Sequence, residues 1–223
     1  VALSGAAQAA LIDRGGGLIY DSTRNLTWLA DMNHAMTSDH TGAGVNADGT
    51  MTWAAANQWA ANLVYGGYDD WRLPTVNEWD ASCSGRAPGP GNTLLYFGFN
   101  CTGGELSGLF VADLGNKANE SVLDQAGDTA EQIANLALFS NVQSHGYWSA
   151  LSSWVFPDSA WVLTTHDGSL GVAVTDIAMF AVSMRIGDVA APVPEPQTLV
   201  LAMLALGATA VVRKRRARPG LDA

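Results

Sequence analysis

The chain has 223 residues, 48% of them hydrophobic and 9% aromatic, so it is long enough to bury a sizeable core in one or two domains. Its formal net charge is −10, yet five of its eleven Lys and Arg residues fall within the last eleven positions, and without that segment 6 basic and 20 acidic side chains leave a net charge of −14. A chain segment with this negative charge repels the phosphate backbone of nucleic acids, which argues against nucleic-acid binding. The charge favours neutral, cationic or metal-bridged partners.

The first nine residues, VALSGAAQA, are small and apolar. Ala7, Gln8 and Ala9 fit the A-x-A pattern of a signal-peptidase cleavage site. We interpret residues 1–9 as the remnant of a secretory signal peptide, with an ordinary flexible N-terminus as the alternative. The pattern predicts an exported protein whose folded domain occupies residues 10–190.

Short apolar runs between turn residues predict strands at both ends of this domain. Leu11–Asp13 and Leu18–Asp21 flank three glycines, and Leu26–Leu29 follows, which predicts three strands with a turn between the first two. In the C-terminal third, turn signals separate three further predicted strands, at 146–150, 160–164 and 181–185.

Apolar periodicity and capping residues predict three helices. The first covers about 53–65, because its apolar residues fall on one face and Thr50 or Thr52 can cap it. A weaker pattern predicts another over 129–139. Thr75 and Glu78 fit a reciprocal capping box between them, which predicts a helix start there. This capping role is enough to explain a glutamate at position 78, so we do not predict Glu78 to be a catalytic acid.

Two cysteines, Cys83 and Cys101, lie in a stretch rich in Gly, Pro, Ser and Asn. In an exported protein they most simply form one disulfide, which stabilises the fold by about 3 kcal/mol in the chain-entropy model. Their spacing is too wide for a redox CxxC motif, and no second Cys or His pair completes a zinc site. A catalytic or metal-binding thiol pair is the alternative.

The C-terminal segment combines a proline-rich spacer, an apolar run and a basic end. The uncharged run 198–212 is short for a membrane span, because at about 1.5 Å per residue it covers about 22 Å of a roughly 30 Å hydrocarbon core. A C-terminal core helix, the alternative, would show a polar face, and this run shows none. The residues that mark the segment are Pro194, Glu195, Pro196, Arg213, Lys214, Arg215 and Arg216.

This order resembles the PEP-CTERM sorting signal, with residues 191–197 as the spacer and 198–218 as the transmembrane or sorting helix with its basic end. The resemblance implies that a membrane exosortase recognises the Pro-Glu-Pro box during export. It also implies passage through the inner membrane of a Gram-negative-type bacterium, followed by a place at the cell surface or outside the cell. The tail is then a transient address, removed or exchanged during sorting.

The middle of the chain resembles the Lcl C-terminal domain family. The stretch GYDDWRLPT at 67–75 is similar to the family's core motif, and "LIYDSTRNLTWLAD" at 18–31 and "MTWAAANQWAANL" at 51–63 are similar to its opening and first helix. Where the family usually ends on Val-Arg-Pro, this chain keeps Arg185 without the proline. The residues that carry the core motif are Trp71, Arg72, Leu73, Pro74, Thr75 and Glu78.

The family resemblance implies an α+β fold of the C-type-lectin-like class. Two helices would flank a curled antiparallel sheet, a long irregular loop region at about 82–145 would carry binding, and the C-terminal apolar helix would follow. Arg72 and Arg185 are expected to pair with carboxylates. The adhesin for which the family is named is linked to sulfated polysaccharides, but a net charge of −14 would repel such polyanions.

Eight tryptophans are many for such a domain, and an indole can stack on the apolar face of a sugar ring. Most are expected in the core, because helix-face and motif positions explain them without a ligand. Trp154 is the better candidate for ligand binding, because residues 151–157 read as an exposed loop. Tyr147 and Trp148 lie just upstream and complete the candidate site.

Calcium needs several oxygen ligands, and Asn46 with Asp48, or Asp69 with Asp70, supply some of them. The Glu-Pro-Asn and Trp-Asn-Asp signatures of sugar-binding C-type lectins are absent. Turn formation is the simpler role of Asn46 and Asp48, so we predict no metal and no other cofactor.

No Ser, Cys or carboxylate pair stands at a recognisable catalytic spacing from the single histidines. We therefore expect a non-enzymatic, surface-sorted binding or adhesion domain that contacts glycan or extracellular matrix. Two alternatives stay open. One is a hydrolase or modifying enzyme with its site in the 82–145 loops, which predicts a free thiol or a bound metal. The other is a structural envelope component that self-associates.

Overall fold

The computed structural model describes residues 11–38, 44–89, 91 and 93–189. The predicted signal remnant 1–9, the spacer 191–197 and the sorting helix 198–218 lie outside these residues. Within the described ranges, no helix combines the length and the apolar character that crossing a membrane requires.

The described residues form three antiparallel sheets. The first has the order β1-β2-β3-β9, the second is the β4–β5 hairpin, and the third has the order β6-β7-β8. The strands are β1 (Leu11–Gly15), β2 (Leu18–Asp21), β3 (Leu26–Leu29), β4 (Gly85–Pro88), β5 (Leu94–Phe97), β6 (Gly146–Ser152), β7 (Ser159–Thr164), β8 (Ser169–Val174) and β9 (Met184–Ile186).

Few helices accompany these sheets, so the described part is a mixed α/β fold, as predicted, with most of its regular structure in strands. The single curled sheet of the prediction is wrong in detail, since the strands divide among three sheets. The helices are α1 (His34–Thr37), α2 (Trp53–Ala61), α3 (Glu105–Ser107), which continues into the π-helical segment Gly108–Asp113, and α4 (Ala130–Leu136).

Two of the three predicted helices are confirmed, and the first has one of its two predicted caps. Helix α2 starts after Thr52, whose side chain accepts a hydrogen bond from the N–H of Ala55, and it ends four residues earlier than predicted. Helix α4 has a complete capping box between Thr129 and Gln132. Local sequence rules therefore work well where the polar cap and the apolar face belong to the same short segment.

The predicted helix start at Thr75 is wrong. Both the backbone N–H and the hydroxyl of Thr75 donate to one carboxylate oxygen of Glu105, at 2.7 and 2.9 Å. The next residues form turns, because the side chains of Asn77 and Asp80 accept hydrogen bonds from backbone N–H groups two residues further on. Glu78 is consequently free of any capping role.

The predicted pairing of both arginines with carboxylates is confirmed. Arg72 makes a bidentate contact with Glu105, at 2.7 and 2.6 Å, and its backbone N–H and C=O pair with those of Met184. Arg185 makes a bidentate contact with Asp70 and lies 4.0 Å from the centre of the Tyr68 ring. The WRLP motif thus joins the last strand to the segment that follows the hairpin.

A second ion cluster lies partly buried beside the π-helical segment. The Arg24 guanidinium contacts Asp21 at 2.6 Å and Asp113 at 2.5 Å. Burial raises the pKa of Asp113 to about 6, and the neighbouring Arg24 only partly counteracts this. Asp113 therefore carries a buried negative charge at neutral pH that the fold does not fully compensate.

Candidate functional site

A groove of about 310 Å³ lies between the β4–β5 hairpin and the sheet β6-β7-β8. One wall is the hairpin, the other consists of strands β7 and β8, and the connection between β6 and β7 contributes the rim. The residues that line the groove are Ala87, Pro88, Leu95, Phe97, Ser153, Val155, Phe156, Trp161, Gly171 and Val172.

The hairpin wall is held at its base. Gly98 exchanges two backbone hydrogen bonds with Leu170 of β8, both 2.8 Å long, and the N–H of Tyr96 donates to the carbonyl oxygen of Glu78 at 2.9 Å. The predicted disulfide is confirmed, since Cys83 and Cys101 are bonded, and this bond closes the chain on either side of the hairpin. The disulfide therefore fixes the distance between the two ends of the hairpin wall.

A buried carboxylate joins the floor of the groove to its rim. Glu78 is 6% exposed, and its two oxygens accept hydrogen bonds from two different indoles. Trp161 in the β7 wall, 3% exposed, donates to Oε1 at 2.9 Å, whereas Trp154, 45% exposed, donates to Oε2 at 3.0 Å. One side chain thus holds both a core ring and a surface ring.

No lining residue of the groove carries a formal charge. Two of the lining residues, Phe97 and Phe156, are 39% and 54% exposed. Such a concave apolar surface suits a neutral ligand with an apolar face. Its chemistry does not suit a polyanion.

Trp154 is exposed, as predicted, but its two predicted partners are not. Tyr147 and Trp148 are completely buried, because β6 is covered along most of its length. The Tyr147 hydroxyl accepts a hydrogen bond from the N–H of Gln143, while burial raises its pKa above the ordinary value, and the Trp148 indole donates to the carbonyl oxygen of Met51. The proposal of these two rings as ligand contacts is corrected, since both belong to the core.

The cysteine pair offers no ligand to a metal ion, because both sulfurs are bonded to each other. Asp80 lies beside them, and its carboxylate accepts hydrogen bonds from Ser82 and from the N–H of Gly103. Burial raises the pKa of Asp80, but these hydrogen bonds outweigh it and hold the pKa below the usual range. The carboxylate therefore serves to fix the two loop ends.

Two of the carboxylates considered for calcium, those of Asp48 and Asp70, have other partners. Asp48 accepts hydrogen bonds from the N–H and the hydroxyl of Thr50, which lower its pKa. Asp70 is engaged by Arg185, and this contact lowers its pKa too. Asp48 thus has the turn role that its sequence indicated, and Asp70 belongs to an ion pair.

Sequence reasoning missed the hairpin and with it the groove. The hairpin lies inside the region 82–145, which was expected to be irregular apart from the helix at 129–139 but also contains α3 and the π-helical segment. A signal was present, because the run of Leu94, Leu95, Tyr96 and Phe97 follows a stretch rich in glycine and proline at 88–92, which is typical of a strand after a turn.

Two family models match the chain. The Lcl C-terminal domain matches residues 17–185, and the PEP-CTERM protein-sorting motif matches residues 192–216, which confirms both resemblances noted in the sequence. No curated protein and no solved structure is significantly similar. A chain with this sorting motif is exported toward the envelope or surface of a Gram-negative-type bacterium and is processed by an exosortase.

Proposed function

We propose that this chain, which belongs to the Lcl C-terminal domain family, is a non-catalytic binding protein of the bacterial surface whose groove takes a neutral polysaccharide. The observation that carries the proposal is the uncharged apolar groove, beside which the half-exposed Trp154 lies between the lining residues Ser153 and Val155 in the chain and approaches Gly89 of the hairpin turn. The protein then contributes to adhesion or to an extracellular matrix. A C-type-lectin-like fold and a transient passage through the inner membrane belong to the same proposal.

Aromatic rings supply the contact that such a ligand needs. A sugar ring has a face of C–H groups, which packs on the face of an indole while its hydroxyls stay in water. Phe156 offers an aromatic ring in the groove lining and the half-exposed Trp154 offers a second one next to it in the same connection, while Leu95 and Val172 add apolar surface to the lining. This composition favours ring stacking over recognition through many hydrogen bonds.

The charges of the domain favour a neutral ligand. Five of the six cationic side chains in the described residues contact carboxylates: Arg14, Arg24, Arg72, Lys117 and Arg185. The sixth, Arg86, is exposed on β4, and strand alternation places it on the face of the hairpin opposite to Ala87 and Leu95. Sulfate or carboxylate groups of a polyanion would therefore meet no cluster of cations at the groove.

The absence of catalysis is supported by the side chains available. Both cysteines form the disulfide, so the described residues contain no free thiol, and the residues that line the groove include no titratable side chain. Ser153, the hydroxyl-bearing residue of the lining, has no histidine beside it in the groove. Binding is what this set of side chains can perform.

The test is binding of the purified protein to neutral oligosaccharides, namely glucans, galactans and mannans, with heparin as the sulfated comparison and with and without calcium. Trp154→Ala should weaken binding about tenfold, since it removes the stacking ring. The matched control is Trp79→Ala, because Trp79 is 62% exposed and, unlike Trp154, has no chain neighbour that lines the groove. Equal effects of the two substitutions, or binding to heparin alone, would overturn the proposal.

A further inference from the structure

We infer that Glu78 is the positioning residue of the groove, which holds the Trp154 ring in its binding orientation through the indole N–H. The consequence for affinity rests on the proposed function, but the positioning itself does not. Glu78 touches no groove ligand in this role. It acts through the ring that does.

The geometry makes Glu78 a rigid bridge. Its oxygen Oε1 accepts from Trp161, which is packed in the core, and its backbone carbonyl accepts from Tyr96 on the hairpin. The carboxylate is therefore fixed from two sides before Trp154 contacts its second oxygen at 3.0 Å. Rotation of the Trp154 ring away from the rim would leave that buried oxygen without this donor.

Trp154 needs such a fixed partner because of its place in the chain. It lies in the connection between β6 and β7, and nearly half of its surface is exposed. On the hairpin side it passes close to Gly89, where an added Cβ would lie 3.2 Å from Cη2 of the indole. The hydrogen bond to Glu78 selects one orientation for the ring in this narrow space. A ring that is already oriented loses less freedom when a ligand binds.

Glu78 stands alone as an acceptor between two donors, and this suggests the decisive variant. Glu78→Gln keeps the size of the side chain but replaces one acceptor oxygen by an NH₂ group, which cannot accept from an indole N–H. The Trp161 indole is buried and cannot donate to solvent instead, so the amide oxygen should turn toward it. The exposed Trp154 should then face the NH₂ group, lose its hydrogen bond to residue 78 and become mobile. Glu78→Asp, which is one methylene shorter, should release the same ring.

The experiment uses fluorine NMR of the purified protein labelled with 5-fluorotryptophan, in which the Trp154 signal is assigned by its loss in Trp154→Phe. In E78Q and E78D, the Trp154 signal should narrow and move toward the solvent-exposed position while the Trp161 signal stays broad. E120Q is the matched control, because Glu120 is a partly exposed carboxylate that contacts Lys117 instead. A Trp154 signal that is unchanged in both Glu78 variants would overturn the inference.

A double-mutant cycle measures the effect on binding. E78Q should weaken binding to a neutral oligosaccharide about fivefold in the wild-type background, but it should have no further effect in Trp154→Phe, which has no N–H to position. An equal loss in both backgrounds would show that Glu78 acts in another way. If no oligosaccharide binds, the proposed function fails, and the NMR result still decides the positioning role on its own.

Discussion

The two walls of the groove are built in different ways. Five of the six residues of β7 are buried, and β7 is paired along both edges. In the opposite wall only Leu95 is buried among the eight strand residues of the hairpin, which joins the rest of the described fold through the disulfide and a few backbone hydrogen bonds. One wall is part of the core, whereas the other is attached to it.

This difference separates stability from recognition. Side chains of β7 cannot change without disturbing the core, since tightly packed interiors tolerate little change in volume. The hairpin can vary in length and in side chains while the disulfide holds its base, because surface connections tolerate change. We therefore expect ligand preference to depend on the hairpin and on Trp154, and stability to depend on β7 and β8.

The largest expected effect on stability comes from removing the disulfide. Replacing Cys83 and Cys101 together by serine should lower the free energy of unfolding by about 3 kcal/mol, measured by urea denaturation. The substitution should also make residues 84–99 sensitive to limited proteolysis, while β6, β7 and β8 stay protected. Unchanged cleavage in the hairpin would contradict the difference between the walls. The wild-type protein treated with a reducing agent serves as the control.

A smaller effect is expected at the attachment that follows the hairpin. Glu105→Gln should lower the free energy of unfolding at pH 7 by about 2 kcal/mol, because it weakens the contacts with Arg72 and Thr75. Burial raises the pKa of Glu105, but the hydrogen bonds from Arg72 and Thr75 outweigh it, so the folded pKa lies below the unfolded one. The stabilisation is therefore complete above the unfolded pKa and is lost as the pH falls through the folded pKa. Denaturation curves of both proteins should converge in acid, and a constant gap down to low pH would contradict this assignment.

A change far from both walls should alter stability with the opposite sign. Asp113 has a folded pKa of about 6, above the value in the unfolded chain, so its charge destabilises the fold above pH 6 and this penalty disappears as the pH falls toward 4. Asp113→Asn should therefore raise the free energy of unfolding at pH 7.5 by about 1 kcal/mol, with no gain near pH 4. Oligosaccharide affinity should stay the same. A change in affinity would show that groove and body are not separable.

The smallest effect is expected where the hairpin meets the tryptophan. Gly89→Ala adds a methyl group 2.7 Å from the Thr93 hydroxyl, which must turn aside, and 3.2 Å from the Trp154 ring. The variant should shift the Trp154 fluorine signal and weaken binding two- to threefold, with a stability change of about 0.5 kcal/mol. The control is Gly171→Ala on the sheet wall, where an added Cβ meets nothing within 4 Å. If the two variants move the Trp154 signal equally, the close approach at Gly89 does not matter.

A structural feature could be predicted from the sequence when the residues that form it lie close together in the chain. The helix that starts after Thr52 and the strands at 18–21 and 26–29 follow from local patterns, and the structure confirms them. The box between Thr75 and Glu78 looked equally local. It failed because both residues have stronger partners elsewhere, Glu105 for one and two distant indoles for the other.

The same limit applies to the candidate site. Tyr147 and Trp148 have the composition of a ligand-contacting pair, and only the packing of neighbouring strands shows that both rings are buried. Trp154 was correctly predicted to be exposed, because the residues around it predict a loop, and its role in binding stays a prediction. The groove itself required the hairpin, whose two strands pair with each other but touch β8 through residues more than seventy positions away.

The position of the disulfide also sets the time at which the groove is finished. Thiols stay reduced in the cytosol and are oxidised after export. The disulfide at the base of the hairpin wall therefore forms only once the chain has left the cytoplasm. Oxidation of the two cysteines is then the last step in building the hairpin wall. On the proposed function, the groove is complete only after export.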